Sequence, residues 1–138
     1  MNYKGYKDLE CYKEARKLRM YISDLVKSFP KDEKFLLISQ IVDSSRSITR
    51  NMAEGYGRYT FTDTRNFFII ARGSITETME HLTTAFDEKY ISKDELKSGE
   101  EKFELVFKLT NGYIGYLDKS KAAAKPNSQL QNPNSSNK

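Results

Sequence analysis

Apolar residues recur at helical spacing from the start of the chain. Across residues 8–29 they fall at Ala15, Leu18, Ile22, Leu25 and Phe29. The alternating steps of three and four mark one face of a helix. Asp8 is the expected N-cap, because a short carboxylate side chain can accept a first-turn N–H. Pro30 ends the run, since a residue before proline avoids the helical region. A second helix is predicted over residues 31–56, with Asp32 and Glu33 in its first turn. Its stripe is Ile38, Ile41, Ser45, Ile48 and Met52, and Ser44 and Ser45 put small side chains at the seam. A third helix is predicted over residues 63–89. Phe67, Ala71, Ser74, Thr78, Leu82 and Ala85 form its stripe, and Phe68, Ile75, Met79 and Phe86 widen it. That width suits either a central helix with two neighbours or a face shared with another subunit. A fourth helix is predicted over residues 93–119, along Leu96, Gly99, Phe103, Val106, Thr110, Tyr113 and Leu117. The preceding Ser92-Lys-Asp-Glu95 is a capping box.

The connections around Pro30, residues 58–62 and residues 90–92 are short. Short loops force sequence neighbours to lie antiparallel. The predicted fold is therefore all-α: an antiparallel up-down-up-down four-helix bundle over residues 1–120. Residues 121–138 are rich in Asn, Ser and Pro and read as a disordered polar tail.

Composition narrows the class. A chain of 138 residues makes one domain. Cys11 is the single cysteine, so no intramolecular disulfide forms, which fits a reducing cytoplasm. No apolar run approaches the ~18 residues of a membrane span. The N-terminal Met-Asn-Tyr-Lys-Gly-Tyr holds no signal-peptide core. The net charge of +4 is uneven: residues 1–120 hold 20 of the 23 bases and all 19 acids. The pI near 9.0 thus argues less for a nucleic-acid partner than its value suggests.

Candidate chemistry is sparse. A di-metal carboxylate bundle needs Glu-x-x-His on two helices. The one histidine, His81, has Thr78 three positions before it and Glu77 four before. No metal site, cofactor or catalytic residue is expected. Cys11 reads as structural. Gly55-Tyr-Gly57-Arg58 follows a helix rather than a strand and lacks the Gly-Lys-Ser/Thr of a phosphate loop, so it reads as a helix end. There the two glycines could leave the helix through φ > 0. Glu54 stands in the last turn, where the helix dipole disfavours an acid, and Arg50, Arg58 and Arg72 are its candidate partners. Lys13, Arg16, Lys17 and Lys27 lie opposite the apolar stripe of the first helix, with Asp24 among them. They are either a solvated face or a set of phosphate contacts, which need only clustered cations. Arg46 and Arg50 have Asp43 and Glu54 at ion-pair spacing and read as surface pairs.

One longer pattern adds to this. It runs through Phe29-Pro30-Lys-Asp-Glu33-Lys, Ser39-Gln40-Ile41, Ser47-Ile48 and Asn51-Met-Ala-Glu54-Gly55-Tyr-Gly57-Arg58. It continues with Phe67 and Phe68, Ile70-Ala-Arg72-Gly73-Ser74 and Glu77. In order and spacing it resembles the bacterial four-helix-bundle family encoded in 23S rRNA intervening sequences, also labelled S23 ribosomal protein, from about Leu9 to Leu117. The resemblance implies a ring-like homopentamer with no established catalysis. It also implies structural roles for Asn51, Glu54, Gly55, Gly57, Arg58, Arg72, Gly73, Ser74 and Glu77. Relatives in diversity-generating retroelements are accessory factors that bind nucleic acid and a reverse transcriptase. The resemblance thus points to a non-catalytic RNA- or DNA-binding accessory protein, structured RNA first, with an oligomeric scaffold for a protein partner as the alternative. This chain departs from the family after Gln40-Ile41, where two arginines are common and Val42-Asp43 stand here.

Overall fold

The computed structural model describes residues 5–123. A 3-10 turn at Tyr6–Asp8 leads into α1 (Glu10–Leu25). Further 3-10 turns at Val26–Ser28 and Lys31–Glu33 precede α2 (Leu37–Tyr56). Helices α3 (Phe61–Asp87) and α4 (Lys93–Ala123) complete the chain. Each helix packs on its two neighbours in a closed ring, α1 on α2 and α4, α3 on α2 and α4. The cross-helix bonds run antiparallel throughout. Ser44 and Ser47 of α2 meet Thr78 and Ser74 of α3, and Arg65 and Arg72 of α3 meet Asp118 and Asn111 of α4. The architecture is the predicted up-down-up-down bundle. α4 runs past the expected start of the tail, through Lys121 to Ala123. Residues 124–138 lie outside the described residues.

The predicted stripes supply most of the core, but Ile38, Leu96, Phe103 and Tyr113 are only partly buried, and at the start of α3 Phe68 rather than Phe67 is the buried ring. Leu18, Ile22, Ile41, Ile48, Met52, Phe68, Ile75, Leu82, Val106 and Leu117 are almost wholly buried. Each such side chain contributes about 1.5–3 kcal/mol relative to exposure. The wide stripe of α3 is used by its two neighbours. What α3 leaves outside is Ile70, 50% exposed, with Gly73 beside it in open space.

Several helix ends differ from expectation. α1 stops at Leu25 rather than running to Phe29, with Val26–Ser28 in a 3-10 turn before Pro30. Asp8 is not the N-cap of α1; it sits in the preceding 3-10 turn, and Leu9 occupies the cap without a side-chain bond. Residues 31–36 do not begin α2, because Leu36 leaves the helical region at φ −118°, ψ −107°. Glu33 instead reaches forward, its Oε1 accepting from the Leu37 N–H at 3.2 Å. α3 starts at Phe61 rather than at Asp63, with the Thr60 hydroxyl accepting from the Asp63 N–H at 3.1 Å. The Ser92/Glu95 capping box forms as predicted, with reciprocal bonds of 2.8 and 3.1 Å.

Glycine is not used for positive φ here. Gly57 has φ −81°, and among the described residues the positive-φ position is Lys89, at 66°. Lys89 closes α3 in a Schellman arrangement, its N–H bonding Phe86 O at 2.9 Å and the Tyr90 N–H bonding Ala85 O at 2.8 Å. That turn aims Tyr90 back at α2. Its ring packs 5.7 Å from Phe29, and its hydroxyl donates to Glu33 Oε2 at 2.7 Å.

Gly55 serves close approach instead. A Cβ at that position would lie 2.7 Å from Phe67 Cβ and 3.1 Å from the Phe68 ring. Small hydroxyl residues continue the same seam. Ser44 and Thr78 oxygens lie 2.8 Å apart, as do those of Ser47 and Ser74, and Asn51 Nδ2 donates to Ser47 O at 2.8 Å. Phe67 Cβ is fixed to its backbone, so relief requires the helices to part. Gly55→Ala should therefore lose about 1–3 kcal/mol to overpacking. That outweighs the gain of about 1 kcal/mol in helix propensity. A lowered urea midpoint checks this; an unchanged or raised one would show slack at the seam.

The Tyr90 bond predicts a pH dependence. The carboxylate of Glu33 pushes the Tyr90 hydroxyl up from its ordinary value of 10.0 to about 12, because it binds the protonated form. A raised folded-state value stabilises fully below pH 10 and is lost as pH rises toward 12. Burial does the same to the Cys11 thiol, raised from 9.0 to about 12. Stability should fall above about pH 9, and Tyr90→Phe should flatten the fall between pH 10 and 12 while lowering stability at pH 8. Denaturant midpoints against pH read both effects; a Tyr90→Phe curve parallel to the wild type refutes the assignment.

Candidate nucleic-acid interface

The four cations expected on the outer face of α1 do lie outward, but three are engaged. Lys13 Nζ is 3.3 Å from Glu10, Lys17 Nζ is 3.1 Å from Glu14, and Lys27 Nζ is 3.5 Å from Asp24. Each acid stands three residues before its lysine, one helical turn away. Exposed pairs of this kind contribute at most about 1 kcal/mol to stability. Their effect on a polyanion is larger in proportion, since each acid cancels the field its lysine would present. Arg16, also exposed, makes no ion pair among the described residues. It shares a shallow surface cleft of about 320 Å³ with Lys7, Tyr12, Lys13, Lys17 and Met20.

Arg46 and Arg50 do not form the expected pairs. Both are exposed, and neither Asp43 nor Glu54 bridges to them. Glu54 turns the other way and meets Arg58 Nη2 at 3.0 Å, one of its three candidate partners. The pair is open to water, 54% and 43% exposed for the acid and base side chains, so its loss should cost little. Arg58 also lies 4.6 Å above the Phe67 ring.

Sequence reasoning passed over Arg19. It is half-buried between α1 and α2, and its Nη1 donates to Thr49 Oγ1 at 2.9 Å. Thr49 in turn donates to Arg46 O at 3.3 Å. A legible signal did exist: neither Arg16 nor Arg19 has an acid three or four positions away.

The remaining motif residues divide by role. Asn51, Gly55 and Ser74 build the α2–α3 seam. Gly57 caps α2, its N–H bonding Ala53 O at 3.3 Å. Arg72 Nη1 reaches α4 and donates to Asn111 Oδ1 at 2.8 Å. A Cβ added at Gly73 would point into open space, and Glu77 stands outward beside His81, 3.3 Å from its Nε2.

Other features offer little chemistry. An apolar cleft of about 550 Å³ opens between Leu9 and Cys11 of the N-terminal region and Leu109, Gly112, Tyr113 and Tyr116 of α4. Burial keeps the Cys11 thiol protonated, which makes it a poor nucleophile. Among the described residues no group of three or more His, Cys, Asp or Glu could hold a metal ion. None of their helices is long and apolar enough to cross a membrane.

Comparison with known proteins adds the family. No curated protein matches the chain. A solved structure from Bacteroides thetaiotaomicron, a protein of unknown function from the S23 ribosomal protein family, is 24% identical with a TM-score of 0.70. The similarity covers 75% of this chain and 97% of that one, and it speaks for the fold alone. The model of the 23S rRNA-intervening sequence protein family matches residues 7–112, most of the bundle just described, and the chain belongs to that family.

Proposed function

We propose that this chain is a non-catalytic, oligomeric accessory protein of the bacterial cytoplasm that binds structured RNA. The observation that carries the reading is the set of exposed arginines, Arg16, Arg46 and Arg50, that no carboxylate among the described residues neutralises. A phosphate backbone meets such groups without displacing an internal partner. Self-association supports the same reading, because a ring of identical subunits multiplies a weak contact by avidity. Ile70 and the open Gly73 on the outer side of α3 offer an apolar, low-relief patch for a second copy. A homopentamer is the expected ring.

A scaffold reading has its own observation. Phe35 and Leu36, at the entry to α2, are 82% and 59% exposed, an apolar pair that a protein partner could cover.

Binding of a structured RNA against salt concentration separates the two. RNA binding should weaken with salt, log K falling by about 0.7–0.9 per log salt for each phosphate contact. Capture of a protein partner, insensitive to salt and lost in Phe35→Ser, would favour the scaffold. Sedimentation should return about five times the 16.0 kDa chain mass; a monomer at micromolar concentration would remove the avidity argument.

A further inference from the structure

The cations of this bundle fall into two sets that differ in what surrounds them. Lys13, Lys17 and Lys27 each have a carboxylate within 3.5 Å. Arg16, Arg19, Arg46 and Arg50 have none within ion-pair distance among the described residues. These four arginines are not scattered. The Arg19–Thr49 bond crosses directly from α1 to α2. Arg16 stands one turn before Arg19 on α1, Arg46 one turn before Thr49 on α2, and Arg50 follows Thr49. Arg16 on α1 and Arg46 and Arg50 on α2 thus stand within one turn of a cross-helix bond whose donor is Arg19 itself.

We infer that the arginines along the furrow between α1 and α2, and not the three acid-paired lysines whose face Arg16 borders, are where the phosphate backbone of RNA docks; the inference rests on the RNA-binding reading above. Three physical reasons support it. A guanidinium presents five donors in a planar fork that matches a phosphate's two oxygens, whereas an ammonium is a strongly hydrated point charge. The nearby acids are committed elsewhere, Glu14 to Lys17 and Glu54 to Arg58, leaving Asp43 as the one carboxylate close to the group along α2. Spacing also favours a polyanion over a single acid. Arg46 and Arg50 are four residues apart, about 6 Å along the axis. Packed helix axes stand about 8–10 Å apart. Four guanidiniums on such a grid match repeated phosphates better than one carboxylate. Arg19, held by Thr49, keeps its remaining donors for a ligand and loses little side-chain freedom on binding.

The test uses the full chain and a fluorescent 20-nucleotide RNA hairpin, at salt from 50 to 200 mM. Arg46→Gln/Arg50→Gln removes two exposed charges without touching the apolar stripe. It should bind about tenfold or more weakly at low salt, with the salt slope lowered by about 1.5, the loss of two phosphate contacts. A lysine triple variant whose partner acids are neutralised with it, Glu10→Gln/Lys13→Gln/Glu14→Gln/Lys17→Gln/Asp24→Asn/Lys27→Gln, removes the three pairs at constant net charge and should change affinity by less than about threefold, because each lysine is already offset by its acid. Arg46→Lys/Arg50→Lys keeps the charge and most of the salt slope, but should lose affinity about fivefold with its forked donors. Unchanged helicity and sedimentation of each variant certify the fold and assembly. A lysine triple variant weaker than the arginine double overturns the furrow and leaves RNA binding standing. A wild-type chain that fails to retain the hairpin at 50 mM salt overturns both. Displacement of the hairpin by polyglutamate as readily as by unlabelled RNA, at equal charge, makes the furrow a general polyanion surface and also overturns the assignment.

Discussion

The close approach of α2 and α3 at Gly55 is the constraint on which the rest of the bundle depends. A Cβ there would sit 2.7 Å from Phe67 Cβ, so the two backbones are as near as a side chain of one hydrogen permits. That nearness lets short side chains reach across. Ser44 meets Thr78 and Ser47 meets Ser74, both at 2.8 Å, distances that longer side chains would prevent. It also places Phe68 where its ring, 4.7 Å from that of Tyr113, carries the contact on to α4. Removing the close approach would therefore shift α4 as well as α2.

The opposite end of the same helix pair is held by Glu33. One oxygen accepts from the Leu37 N–H and starts α2; the other accepts from Tyr90 in the turn after α3. A single half-buried carboxylate thus ties the entry of one helix to the exit of the next. Seam and knot lie at opposite ends of the α2–α3 pair, so they fix its length and register together. The left-handed Lys89 is part of this arrangement, since it turns the chain so that Tyr90 faces back toward Phe29 and Glu33.

Surface function follows from how the carboxylates are shared out. With 23 bases and 19 acids, the chain has almost enough acid to silence its cations, and the fold decides which ones escape. On α1 the acids stand three before the lysines and hold them. On α2 Glu54 is drawn to Arg58, which Phe67 also holds, and the arginines upstream are left open. Charge counting along the sequence therefore misleads: the residues that look most basic in a row are those most fully paired.

Much of this protein was determined by sequence alone. The stripes Ala15–Leu18–Ile22–Leu25 and Ile41–Ser45–Ile48–Met52 became buried faces because helical period depends only on local geometry. The Ser92/Glu95 box was legible for the same reason, being a rule among residues within four positions, whereas the end of α1 at Leu25, ahead of Pro30, was not. The pattern from Phe29 to Glu77 carried the family, and the family carried the fold. Other features were decided only by tertiary structure. Gly55 could be a turn or a contact until Phe67 was placed against it. Asp8 satisfied the rule for an N-cap, yet a 3-10 turn displaced it. Glu54 had Arg50 and Arg58 at equal helical spacing, and the choice between them needed the Phe67 ring that steadies Arg58. Arg16 and Arg19 were visibly free of acids in sequence, but their meeting with Arg46 and Arg50 rests on a bond between residues thirty positions apart. Periodicity says which way a side chain points from its own helix; only the packing of two helices says what it will face.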